Sequence, residues 1–186
     1  MGVGAKHSKF IVLIGPDCSG KSTLAAMLSE HYGIPLTKGL RIADRTAMTL
    51  SISHTLHKRI AGVDKDPVLM DRWQFPDDII YERVHGRAES PFVEMLHELA
   101  SMSWDAGVLF LHVSALPNVL TARLKARGDE DVDGTQIIKA RMEYLELFSQ
   151  VNLPIVHIDT SIKTPEETFH RAVELIDTFY SGRYTE

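Results

Sequence analysis

Phe10-Ile11-Val12-Leu13-Ile14-Gly15-Pro16-Asp17-Cys18-Ser19-Gly20-Lys21-Ser22-Thr23 is the stretch that decides the fold. Five apolar residues run without a break, as in a strand buried on both faces. Residues 15–22 then satisfy G-x-x-x-x-G-K-[ST] in full. The spacing predicts a helix over 22–31, with Leu24, Met27 and Leu28 inward. Strand, glycine loop and helix in that order are the context in which this motif cradles phosphates.

Each residue type in the loop has a physical reason. Gly15 and Gly20 allow backbone conformations that turn successive N–H groups into one concavity. The helix after them adds its positive end. Lys21 brings a mobile charge to the outer phosphates. Ser22 offers a hydroxyl to Mg²⁺, which prefers oxygen ligands. The expected ATP-binding set is therefore Gly15, Cys18, Ser19, Gly20, Lys21, Ser22 and Thr23, with Mg²⁺ as cofactor.

Outward from the loop, strand-like and helix-like segments alternate, which predicts a parallel sheet covered by helices. Further strands are expected at 68–70, 107–113 and 154–158, and one near 34–36. Helices are expected over 41–60, from Pro76, over 90–103, over 117–127 and over 135–148. In the last of these Ile137, Ile138, Met142, Leu145 and Phe148 form one stripe. Thr164-Pro165-Glu166-Glu167 reads as a capping box with Pro at the first helical position. The helix that follows should bury Phe169, Ala172, Val173, Ile176 and Phe179. No repeat or linker interrupts the pattern, so residues 1–186 read as one domain with a loose start over 1–8.

The 186 residues carry a net charge of -5 and a pI of about 6.0, which disfavours a constitutive duplex-DNA binder. A single cysteine, Cys18, rules out an intrachain disulfide and fits a reducing compartment. No run is long enough for a membrane span, and the first residues lack a signal core. The expectation is a cytosolic protein with no membrane partner.

Asn-Lys-x-Asp, the guanine reader of GTPases, is absent from the sequence. Asp131-Val132-Asp133-Gly134 fits D-x-x-G but follows a helix rather than a strand. A compact kinase fits better than a GTPase or a coupling ATPase. Asp71, at the end of a buried strand, is placed to hold Mg²⁺ or orient an acceptor, because ligands gather at the carboxyl ends of parallel strands. Arg72 beside it is placed to reach a phosphate, or to pair with Asp77 or Asp78. Arg123 and Arg127 share a helix face. Val119 and Leu120 lie on the same face, so Arg123 points partly inward, where a guanidinium needs an anion. Trp73, Phe75 and Tyr81 cluster after Arg72 and offer rings to a base, or to the core.

Three segments resemble the thymidylate kinase and deoxynucleoside monophosphate kinase family of P-loop kinases: residues 15–23, Asp71-Arg72-Trp73, and the run from Arg123 to Glu130. The resemblance implies a three-layer fold with a five-stranded parallel sheet, helices on both faces and a short lid over about 123–141. It implies ATP·Mg²⁺-dependent phosphorylation of a nucleoside monophosphate. It places Asp17 at the acceptor's sugar 3′-hydroxyl and leaves Cys18 where some relatives carry a loop arginine, which moves the catalytic positive charge onto Arg123 or Arg127. Related enzymes are often homodimers. The chain departs from the family at 36–45, where an Arg-Glu-Pro-Gly-Gly-Thr segment is replaced; Lys38, Arg41 and Arg45 there are candidates for an acceptor phosphate. The departure keeps three alternatives open: a deoxynucleoside kinase, a kinase of a hydroxyl on a modified nucleotide within DNA, and a non-enzymatic ATP-binding switch.

Overall fold

A computed structural model of the chain describes residues 8–39, 44–128 and 133–182. Their elements run β1 (Phe10–Ile14), α1 (Lys21–Tyr32), β2 (Leu36–Lys38), α2 (Arg45–Ile60), β3 (Val68–Asp71), α3 (Gln74–His85), α4 (Leu96–Asp105), β4 (Val108–Ser114), α5 (Pro117–Arg127), α6 (Gly134–Gln150), β5 (Ile155–Asp159) and α7 (Pro165–Tyr180). The strands form one parallel sheet in the order β2-β3-β1-β4-β5.

The continuous apolar run of β1 is explained by its central place. Phe10, Val12 and Ile14 face one core with α2, α3, α4 and α6, while Ile11 and Leu13 face a second core with α1 and α7. All five residues are buried. Parallel pairing brings the carboxyl ends of β1, β3 and β4 to one edge, with Leu13 opposite Asp71 and Ile14 opposite His112. The phosphate loop therefore leaves the sheet beside Asp71.

Several expectations shift in detail. The second strand lies at Leu36–Lys38 rather than 34–36. Asp44 caps α2, its carboxylate accepting from Ala47 N. Residues 91–95 make turns, and regular α4 begins only at Leu96. There Val93 N bonds Ser90 O and Leu96 N bonds Val93 O, three residues back rather than four. The largest correction concerns α6. Ile137, Ala140, Tyr144 and Leu147 face inward, whereas Met142 and Leu145 are exposed. That rotation buries the Tyr144 hydroxyl against α3 and inserts Ile137 into a small cluster with Ala115, Leu120 and Leu124. A polar contact and a local cluster override a stripe of similar hydrophobicity one step around the helix.

Candidate active site

The phosphate loop adopts backbone angles that its glycines permit. Gly15 has φ 135°, and a Cβ there would lie 2.1 Å from the Val113 carbonyl oxygen of β4. No side chain fits that approach. Gly20 (φ 94°) precedes α1, and no side chain caps the helix. Its first N–H groups are left for an anion. Cys18 also has positive φ, at 60°. Its thiol packs against the cluster under α5 and α6, which makes it a filler of the loop's outer side.

Lys21 is buried, and its amine donates to Pro16 O at 2.5 Å, with Ser19 Oγ at 3.4 Å. Burial, and then repulsion from Arg72, lowers its pKa to about 8. The site thus holds a cation that lacks its full complement of anions. Ser22 Oγ donates to Asp71 Oδ2 at 3.0 Å. The other oxygen, Asp71 Oδ1, is buried with no hydrogen-bond partner among the described residues. A hydroxyl, a carboxylate and an orphaned carboxylate oxygen are hard donors of the kind Mg²⁺ takes. The residues present fit that ion.

Arg72 stands where β3 turns toward α3. Its φ is 68°, uncommon for a residue with a side chain. The turn is held at both ends: Arg72 N donates to Leu13 O at 3.0 Å, and Gly39 N donates to Arg72 O at 3.1 Å. The guanidinium spans two carboxylates, Asp17 of the loop at 2.5 Å and Asp77 of α3 at 2.9 Å. The Tyr81 ring flanks it at 5.0 Å. Burial is the largest single influence and disfavours the charge, but Asp77, Tyr81, Tyr144 and Asp17 together outweigh it and raise the guanidinium above its ordinary value. Burial pushes the Asp77 carboxyl up, with Arg72 and the Tyr144 hydroxyl opposing.

Trp73 and Phe75 sit in the core instead of offering rings to an acceptor. Trp73 packs on Phe10 at 5.4 Å and Phe110 at 6.4 Å, and Phe75 packs on Phe92 and Phe110. Past the Arg72 turn the chain folds back over the sheet, which buries both. Tyr81 alone of the three stays beside Arg72. Arg41 lies outside the described residues, as does the side chain of Arg45. Lys38 is exposed at the end of β2, opposite Asp71.

Arg123 finds neutral oxygens rather than an anion or a carboxylate. It donates to Thr160 Oγ1 at 2.9 Å, Thr160 O at 2.7 Å and Cys18 O at 3.4 Å. Thr160 in turn donates to Ser19 O at 2.9 Å. Arg123 and Thr160, with Gly20, Thr23, Lys163 and Pro165, line a cavity of about 260 Å³ against the first turn of α1. Arg127 is exposed at the end of α5, one turn further on. Residues 129–132 of the expected lid lie outside the described residues, and with them Asp131 and Val132 of the D-x-x-G stretch.

Sequence reasoning missed Thr160, Gly39 and Tyr144. Gly39 had a legible trace, a glycine just past a strand; a Cβ there would lie 2.6 Å from Arg72 O. The others act through contacts between distant segments and leave no local pattern.

No protein-family model matches the chain. It is 27% identical over 173 residues to YorR, an SPbeta prophage-derived protein of Bacillus subtilis strain 168, covering 90% of this chain and 98% of that one. It is 29% identical over 148 residues to adenylate kinase 1 of Nostoc sp., covering 72% and 76%. The crystal structure of B. subtilis YorR in complex with phosphorylated GDP superposes with a TM-score of 0.70 at 24% identity, over 96% of this chain and all of that one. Deoxyadenosine kinase of M. mycoides, with bound dATP, superposes at 0.58 and 13% identity, over 90% and 99%. The chain shares its fold with these solved structures, and its loop carries the phosphate-binding motif. The comparisons do not single out thymidylate kinases.

Proposed function

We propose that the chain is an ATP-dependent kinase that phosphorylates a deoxynucleoside monophosphate. The observation that carries this reading is the Asp17–Arg72–Asp77 bridge: a guanidinium and a half-exposed carboxylate stand side by side at the mouth of the phosphate loop, which supports a phosphate and a sugar hydroxyl as the acceptor groups they would meet. The resemblances to YorR, whose structure holds phosphorylated GDP, and to adenylate kinase 1 support a nucleotide ligand.

In this reading the loop N–H groups and Lys21 hold the outer phosphates of ATP. The base of ATP occupies the cavity beside α1, between Arg123 and Pro165. Ser22 and Asp71 would hold Mg²⁺, which when bound spreads negative charge off the transferring phosphate. Arg72 grips the acceptor phosphate, Asp17 the sugar 3′-hydroxyl, and Tyr81 lines the acceptor side; Lys38, Arg41 and Arg45 remain candidates for the acceptor phosphate from their sequence position alone. Arg123 and Arg127 of α5 are the candidates to carry positive charge to the transferring group. Catalysis of this kind is positioning plus charge neutralisation, with little covalent chemistry left to the protein.

A nucleoside acceptor is the second reading. The altered segment at 36–45 favours it, because a lost phosphate-binding segment removes the need for a phosphate on the acceptor. The experiment is an acceptor screen with ATP and Mg²⁺: the four deoxynucleoside monophosphates, the matching nucleosides and an oligonucleotide. A nucleoside diphosphate from at least one monophosphate is expected. Product from nucleosides or the oligonucleotide alone overturns the first reading in favour of the corresponding alternative, and ATP binding without any product leaves a regulatory switch.

A further inference from the structure

Tyr144 lies in the middle of α6 with no exposed surface, and its hydroxyl donates to Asp77 Oδ1 at 2.6 Å. Asp77, on α3, is itself buried. Its other oxygen accepts from Arg72 Nη1 at 2.9 Å, and Arg72 Nη2 reaches Asp17 at 2.5 Å. One buried carboxylate thus has each oxygen used once: by α6 on one side and by Arg72 on the other.

The division of labour follows from burial. The Asp17 side chain is half exposed. A guanidinium held only by such a carboxylate gains little and keeps its side-chain freedom. Asp77 gives Arg72 a second, dry point of attachment. A buried carboxylate is costly unless its oxygens are satisfied. Arg72 satisfies one oxygen and Tyr144 the other, so without the hydroxyl Asp77 is drawn toward a new partner and its grip on Arg72 changes. Burial and the neighbouring Asp77 hold the Tyr144 phenol well above its usual pKa, so it remains a donor. The neighbours facing this pair are Arg72, Lys21 and Asp17 around the loop, Tyr81 on α3, and His112 on β4, whose ring lies 5.3 Å from Tyr144.

We propose that Asp77 and Tyr144 are positioning residues that fix Arg72 for the acceptor and so tie α6 to the acceptor site. This rests on the reading that Arg72 contacts the acceptor. Neither residue touches the reacting atoms; both act through Arg72. In the sequence Tyr144 is indistinguishable from a core aromatic.

The test uses Tyr144→Phe, which keeps the ring, alone and in an Arg72→Ala background. Steady-state kinetics are measured with whichever of dAMP, dCMP, dGMP and dTMP turns over fastest, and ATP affinity by direct titration. Tyr144→Phe is expected to lower kcat/KM for the acceptor by about tenfold, with ATP affinity held within about twofold. With Arg72 absent it should have no further effect. An unchanged kcat/KM, an equal further loss without Arg72, or a parallel fall in ATP affinity overturns the proposal. Should Tyr144→Phe fail to fold, Asp77→Asn is measured in the same two backgrounds with the same criteria. If Arg72→Ala itself leaves acceptor kcat/KM intact, or no monophosphate turns over, the acceptor reading falls and the positioning role falls with it. Loss in Arg72→Ala without loss in Tyr144→Phe overturns the positioning role alone.

Discussion

Lys21 has a property that the motif does not display. Burial lowers its pKa to about 8, and Arg72 adds to the shift. Phosphates arriving at the loop restore the charge. At pH values above about 8 the free protein therefore takes up a proton as ATP binds, and affinity weakens as pH rises through that range. Calorimetric titration at pH 8.5 in buffers of different ionisation heat should show net proton uptake; its absence would mean that the amine is already charged in the free loop. Gly39 makes a second prediction at this scale. A methyl group there meets the Arg72 carbonyl at 2.6 Å, backbone against backbone. Gly39→Ala should move Arg72 and raise the acceptor KM by about tenfold while sparing ATP affinity. Equal KM values for the two proteins would contradict the account of the turn. Gly15, Lys21 and Ser22 fall within one short motif and declare themselves. Asp77 and Tyr144, 67 positions apart, meet only once α3 and α6 are packed. Trp73 and Phe75 sit next to Arg72, yet the turn there delivers both to the core.

Element boundaries follow where local chemistry sets them. Thr164-Pro165-Glu166-Glu167 forms the expected capping box: Glu167 N donates to Thr164 Oγ1, and Thr164 N donates to Glu167 Oε2 at 2.8 Å. Thr164→Ala should cost about 1 kcal/mol, read as a lower midpoint in urea with the slope unchanged. An unchanged midpoint would show that tertiary packing alone holds this helix end. The regular part of α3 likewise starts at Pro76, because the residue before a proline is pushed out of the helical region, and Phe75 is extended at φ -96° and ψ 124°. The face of α6 was not legible, since two stripes of comparable hydrophobicity coexist in its sequence. The choice between them is made by Asp77 and by the cluster of Ala115, Leu120 and Leu124, which lie on other elements.

The architecture of the whole molecule was the most legible level. An unbroken apolar β1 calls for neighbours on both sides and helices on both faces, and the order β2-β3-β1-β4-β5 supplies them. With all strands parallel, the loop after β1, Asp71 after β3 and the Thr160 turn after β5 converge at one edge. No helix among the described residues is long and apolar enough to cross a membrane. The acceptor is the least legible feature, because the proposed site depends on how α3 and α6 pack around Arg72 rather than on any motif. The central claim is phosphoryl transfer governed by the loop. Its most direct test follows γ-labelled ATP into a nucleotide acceptor, with the wild-type chain and Lys21→Ala assayed side by side. The account predicts labelled product from the wild type and its loss, by about a thousandfold or more, in the variant. Equal transfer by both proteins would contradict it.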